Sequence, residues 1–225
     1  MTQKQIAADD LVAMDMYGDS HKLRIDLVYA NAAHSENIFK TALYRQDARL
    51  WLHKEFAEVV LKAAEICYRR WGGVFILKDG LRTTDAQQAM LETDIVKANP
   101  QWVTDGPSRL LSSPGRGGHP RGMAVDVTVE DENGVPWDMG TAFDHLTTDP
   151  DDNPAARDYK NLPDTVRENR SRLELAFTEA AGVLGREVLP LPSEWWDFRF
   201  PARYSEQYDP VSDQALPSEM RMTCP

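Results

Sequence analysis

Apolar residues recur at three- and four-residue steps through residues 46–71, where Leu52, Phe56, Val59, Ala63 and Cys67 share one face. This period predicts a helix, and Gly72-Gly73 stops it. Residues 23–29 alternate apolar and polar side chains and predict a short strand, and residues 74–77 predict a second. Lys78-Asp79-Gly80 turns the chain toward a second helix, capped by Thr83 or Thr84 and running to about residue 98. Residues 100–114 read as loop, and 123–129 as a strand closed by the turn Asp131-Glu132-Asn133-Gly134. An acidic, proline-containing loop over 149–163 leads to a third helix over 165–184, with Leu173, Phe177 and Ala181 on one face and Gly185 past its end. The aromatic run 193–200 predicts the last strand.

Helices and hairpin-linked strands in separate blocks predict an α+β fold, a central antiparallel sheet flanked by helices. A length of 225 residues suits one domain spanning 1–225, with 1–20 and 205–225 expected to be peripheral. The formal net charge of −11, with no basic stripe, argues against a nucleic-acid partner. No apolar run reaches the ~20 residues that span a membrane, and residues 1–10 lack a signal-peptide core. The two cysteines, Cys67 and Cys224, suit neither a disulfide framework nor a thiolate metal cluster. A cytoplasmic location is expected, or a periplasmic one if a leader has been removed from a longer form.

Chemistry concentrates first in Gly118-His119-Pro120-Arg121-Gly122-Met123-Ala124-Val125-Asp126. A carboxylate inside an apolar run is costly unless it is paired, hydrogen-bonded or bound to a metal. Imidazole nitrogen and carboxylate oxygen are both zinc ligands. On residue types alone the pair His119 and Asp126 suits a loop histidine and a hydrogen-bonded aspartate better than a metal site, although Gly117, Gly118 and Gly122 imply close backbone approach around the histidine and weaken that reading. A second cluster places Glu194 and Asp197 among Trp195, Trp196 and Phe198, where apolar surroundings raise a carboxylate's pKa and suit a general base. Positions i and i+3 face opposite sides of a regular strand, so Glu194 must lie at the strand mouth or the backbone must bend. Asp79 and Arg82 flank a turn where an arginine fork can hold a carboxylate or an oxyanion, or form a surface ion pair. Asp144 suits either an ammonium partner or a turn aspartate, and His145 a solvent-facing neighbour.

Taken in order, these pieces resemble the VanX-type D-alanyl-D-alanine dipeptidases, zinc peptidases related to the D-alanyl-D-alanine carboxypeptidases and sharing a core with the hedgehog signalling domain. His119-Pro-Arg-Gly122-Met-Ala-Val-Asp126 is similar to the family's His-x-x-Gly-x-Ala-x-Asp element, Asp79-Gly80-Leu81-Arg82 to its Asp-Gly-Tyr-Arg turn, and Met139 to Asp144 to its Met-Gly-x-x-Phe-Asp element. Asn169-Arg170 and Glu194-Trp195-Trp196 also agree, so the resemblance spans residues 23–200.

The resemblance implies a hedgehog/D-Ala-D-Ala-peptidase-like fold and one Zn2+. His119 and Asp126 would be metal ligands, Glu194 the catalytic base, and Arg82 the oxyanion partner. Asp144 would bind the substrate's α-amino group, with Asp79 beside the substrate bracing Arg82. The implied activity is hydrolysis of a small dipeptide, D-alanyl-D-alanine, in cell-wall metabolism. The alternatives are a D,D- or L,D-carboxypeptidase on longer wall peptides, or a non-catalytic peptide-binding homologue. Two positions depart from the family pattern. Asp197 stands where the third ligand is histidine, so His119, Asp126 and Asp197 are the expected metal set, unless Asp197 disables the site. Gly117 stands where a serine is usual. An extra anionic ligand makes zinc a poorer Lewis acid.

Overall fold

A computed structural model describes residues 3–106, 109–147, 149 and 151–224. The parts of the predicted lead-in, loops and tail that fall on residues 1–2, 107–108, 150 and 225 lie outside the described residues. The strands are β1 (Leu11–Ala13), β2 (Leu23–Ile25), β3 (Trp51–His53), β4 (Val74–Asp79), β5 (Ala124–Glu130), β6 (Leu189–Pro190) and β7 (Asp197–Arg199). The α-helices are α1 (Gly18–His21), α2 (Lys54–Trp71), α3 (Thr84–Leu91), α4 (Asp94–Ala98), α5 (Asp164–Val183) and α6 (Ala202–Ser205).

Five strands form the main sheet in the order β2-β4-β5-β7-β6. The α+β expectation holds, and three of the four pairings are antiparallel. The β2–β4 pair is parallel, because α2 lies between them in the chain and returns it to the same end of the sheet. On one face Phe75, Leu77, Val125, Val127 and Phe198 are buried. Phe177 of α5 stacks on Phe198 with ring centroids 3.9 Å apart, and on Phe75 at 5.5 Å. Helix α2 packs against α5, so the two long helices cover this face. The alternation of β5 and β7 sends Asp126, Asp197 and Arg199 to the other face.

Several boundaries differ from expectation. Residues 51–53 are strand rather than helix: Leu52 is held by pairing with β1, and α2 starts only at Lys54. The helix expected to reach residue 98 breaks at Glu92–Thr93, where the Thr93 hydroxyl donates to the Met90 carbonyl and ends the first segment. Thr83 is the cap of α3, accepting from the Ala86 amide. The last strand shrinks to Asp197–Arg199, because Glu194 and its neighbours form a turn. The segments expected to be peripheral carry core residues: Leu11, Ala13 and Met14 near one end, and Val211, Leu216, Met220 and Met222 near the other, are buried. Among the described residues no helix is long and apolar enough to cross a membrane, and both cysteines are free.

Phe177 joins α5 to two strands of the sheet and is fully buried. Phe177→Ala is expected to cost about 3–5 kcal/mol of folding free energy, measured by equilibrium denaturant unfolding.

Candidate active site

Three aspartates occupy one row across the sheet. Asp79 on β4 pairs with Asp126 on β5, and Asp126 pairs with Asp197 on β7. A register shift between Leu77 and Asp79 brings Asp79 into the row. Like charges directly opposite each other destabilise a sheet, and all three residues are buried. The surrounding side chains therefore have to supply positive charge.

Arg82 answers Asp79. Its Nε and Nη2 donate to Asp79 Oδ2 at 2.9 and 2.5 Å, while the Tyr44 hydroxyl donates to Oδ1 at 2.7 Å. Arg82 Nη2 also lies 3.6 Å from Asp126 Oδ2. Asp79 was expected beside the substrate, but it is fully buried and does not line the cavity. Its position corrects that expectation: Asp79 acts from beneath, on Arg82.

Arg199 answers Asp197. Its Nε donates to Asp197 Oδ1 at 2.7 Å, and its Nη2 donates to Oδ2. This partner was missed in the sequence, although positions 197 and 199 share a strand face and an Asp-x-Arg pair is the visible signal. Arg199 cancels the negative charge that Asp197 brings to a position where the resemblance implies a neutral histidine. Burial disfavours the ionised carboxyl of Asp197, yet Arg199 and His119 outweigh it and hold its pKa well below the usual carboxylate range.

His119 sits at N1 of a short 3-10 turn, His119–Arg121, whose loop is tightly built. Gly122 takes φ +62°, and a Cβ there would approach the His53 amide nitrogen to 2.8 Å, so only glycine fits. Arg121 clamps the approach by donating to the carbonyls of Gly115 and Gly117, each at 2.9 Å. His119 Nδ1 lies 2.8 Å from the Gly80 carbonyl oxygen, which can only accept, so Nδ1 carries the proton. That leaves Nε2 facing Asp126 Oδ1 at 3.5 Å and Asp197 Oδ2 at 3.3 Å.

A neutral imidazole would point a lone pair at two carboxylate oxygens there, so the arrangement calls for a proton or a metal ion among these atoms. Without a metal the proton serves: burial works against it, but Asp126 and Asp197 push the His119 pKa up to about 10. Asp126 Oδ1 has no hydrogen-bond partner although it is buried. Ligand atoms on a tetrahedral zinc with bonds of about 2.0–2.1 Å lie about 3.3–3.4 Å apart, close to the spacings here. The residues therefore fit a divalent ion. The ligand atoms of Asp79, His119 and Asp126 also lie within 4.8 Å of one another. Asp79 approaches the occupied Nδ1 at 3.7 Å, and its oxygens already accept from Tyr44 and Arg82. Asp197 Oδ2 lies instead on the side of the free Nε2, at 3.3 Å, while it too accepts from Arg199.

A cavity of about 470 Å³ opens over this row. It is lined by Arg82, His119, Asp126, Asp144, Glu194 and Asp197, so every expected site residue except Asp79 reaches it. Glu194 lies at the mouth of β7, and its carboxylate has no hydrogen-bond partner among the described residues. Burial, then the charges of Asp197 and Asp126, push its pKa up to about 8. Arg157 holds the backbone on both sides of it, donating to the carbonyls of Leu191 at 2.9 Å, Trp195 at 3.0 Å and Asp197 at 2.9 Å. Asp144 takes φ +55°, a left-handed conformation rare outside glycine, and accepts from the Tyr29 hydroxyl. Burial, then Asp126, push its pKa up to about 7. The loop carrying it is held by Arg170 of α5, which donates to the carbonyls of Met139 at 2.6 Å and Pro154 at 2.8 Å. His145 is exposed, as expected.

The family model described as D-ala-D-ala dipeptidase, of the peptidase M15 group, matches residues 9–214. The D-alanyl-D-alanine dipeptidase of Escherichia coli (strain K12) is 31% identical over 192 residues, which is 85% of this chain and 85% of that one. The crystal structure of the Serratia marcescens L-Ala D-Glu endopeptidase ChiX is 16% identical, covering 68% of this chain and 82% of that one with a TM-score of 0.37.

Zinc added at about a hundredfold over its Kd is expected to raise folding stability by about 2.7 kcal/mol. Asp126→Asn, which weakens one donor, should remove most of that gain in thermal melts with and without the ion.

Proposed function

The chain belongs to the peptidase M15 family of D-ala-D-ala dipeptidases, and from that we propose that it hydrolyses D-alanyl-D-alanine in a metal-dependent reaction. It is a peptidase. The observation that carries the finer reading is the meeting, in one cavity, of His119 Nε2, an unpartnered Asp126 Oδ1 and Asp197 Oδ2 beside the free carboxylate of Glu194.

His119, Asp126 and Asp197 would hold the ion. A divalent cation held there supplies Lewis acidity, polarising a carbonyl and acidifying water. Glu194 takes a proton from the attacking water and returns it to the leaving amine. Its raised pKa places it near neutrality, where a general base works best. Arg82 keeps Nε and Nη2 on Asp79, which fixes the guanidinium plane, and Nη1, which has only the weak acceptor Met90 Sδ at 3.9 Å, would turn to the oxyanion of the tetrahedral intermediate. Asp144 takes the substrate's ammonium group. A wall that supplies an anion for a free amino terminus suits a dipeptide better than the interior of a longer chain.

The test is release of D-alanine from D-alanyl-D-alanine by zinc-loaded protein, followed by chromatography, beside L-alanyl-L-alanine and an N-acetylated D-alanyl-D-alanine peptide. Faster cleavage of the acetylated peptide would replace the dipeptidase reading with a carboxypeptidase. No release with any divalent ion would remove both. Glu194→Gln is expected to lower kcat by about 10²–10⁴-fold with little change in bound metal.

The pH dependence has a definite sign. Asp144, with its pKa raised to about 7, is protonated below that pH and loses its hold on an ammonium group. KM is therefore expected to rise as pH falls below about 7. Asp144→Asn should raise KM throughout and flatten that part of the profile; an unchanged profile would show that another group binds the amino terminus.

A further inference from the structure

Arg199 does more than neutralise Asp197. Its Nε and Nη2 are spent on the two carboxylate oxygens. Its Nη1 has no hydrogen-bond partner among the described residues, and the side chain lines the cavity. The neighbour of Nη1 is Gly117: a Cβ built there would lie 3.7 Å from Nη1 and 3.9 Å from Ser112 Oγ. Gly117 takes φ +88°, which any side chain would strain. The absent side chain therefore leaves room in front of a free guanidinium nitrogen.

The two unusual positions in the sequence, Gly117 and Asp197, meet at this one arginine. Asp197 orients the fork, and Gly117 opens the approach to its third nitrogen. A guanidinium aligned by one carboxylate and open on another edge suits a second carboxylate. The other cavity arginines are less suited. Arg82, held on Asp79, has its remaining nitrogen assigned to the oxyanion, Arg109 pairs with the exposed Asp105, and Arg116 is exposed. Asp144 belongs to a different wall, against Tyr29. A zwitterionic dipeptide would meet an anion at its amino end and a cation at its carboxyl end.

We propose that Arg199, in the space left open by Gly117, anchors the terminal carboxylate of the substrate. The proposal rests on the small-peptide reading of the cavity, and its test needs no turnover. In the Glu194→Gln background, calorimetry compares zinc-loaded protein binding D-alanyl-D-alanine with binding its carboxamide. The acid is expected to bind about tenfold tighter or better, the worth of one charged hydrogen bond. Adding Arg199→Gln should bring the two ligands to within about twofold. Arg199→Lys keeps a charge for Asp197 but loses the fork, so it should lose most of the preference even if the glutamine variant fails to fold. Arg116→Gln should leave the preference intact.

A merely structural Arg199 would weaken acid and amide equally, and bound zinc, measured on each variant, would register any damage to the metal set. The proposal is overturned by equal binding of the two ligands in the starting protein. It is overturned also by a preference that survives Arg199→Lys or that disappears with Arg116→Gln. If the protein with Glu194 intact fails to cleave the dipeptide while the acid preference holds, the dipeptidase reading fails and the anchor stands.

Discussion

Three aspartates in one row of a buried sheet are an electrostatic debt that organises this protein. Asp79, Asp126 and Asp197 face one another across β4, β5 and β7, where a lone carboxylate would cost several kcal/mol. Two guanidinium groups offset two of the charges, Arg82 from the turn after β4 and Arg199 from the same strand as Asp197. With His119 neutral, one negative charge is left uncompensated. That residual charge pushes the His119 pKa up to about 10, and it suits a divalent ion beside the unpartnered Asp126 Oδ1.

The rest of the structure keeps those groups from relaxing apart. Helices α2 and α5 load the far face of the sheet with aromatic and aliphatic side chains, so the strands cannot slip in register without exposing Phe75, Phe198 and their neighbours. Buried and half-buried arginines do the equivalent work for the loops. Arg121 holds the glycine loop before His119, Arg157 the turn that carries Glu194, and Arg170 the loop that carries Asp144. Each satisfies carbonyl groups of irregular backbone that would otherwise be buried unpaired. Loops bound in this way present His119, Glu194 and Asp144 to the cavity with little conformational freedom, which favours chemistry that depends on alignment.

An aspartate at position 197, where the resemblance implies a histidine, changes the site less than its charge suggests. The Asp197–Arg199 pair is neutral overall, as an imidazole would be, and the guanidinium orients the carboxylate. The penalty expected from an extra anion is thereby reduced.

Much of this was legible along the chain. The periods of α2 and α5, the strand around Asp126, the turn at Gly134 and the motif residues His119, Asp126, Arg82, Asp144 and Glu194 all follow from local pattern or from ordered motifs, because side-chain period and turn chemistry are local properties. Other features were decided only by tertiary structure. Leu52 lies on a helical period, yet pairing with β1 draws residues 51–53 into a strand. The ends of the chain look patternless but bury Met14, Leu216 and Met222, since a few apolar side chains in irregular backbone leave no periodic trace. Asp79 reads as a site residue, and only the bulge in β4 and the Tyr44 hydroxyl place it beneath Arg82. The partnership of Gly117, Asp197 and Arg199 spans more than eighty positions, and it exists because β5 and β7 pair and the glycine loop folds over them. Sequence determines which groups are present and which local shapes they favour, whereas charge compensation depends on distance through space, which the packed sheet alone sets.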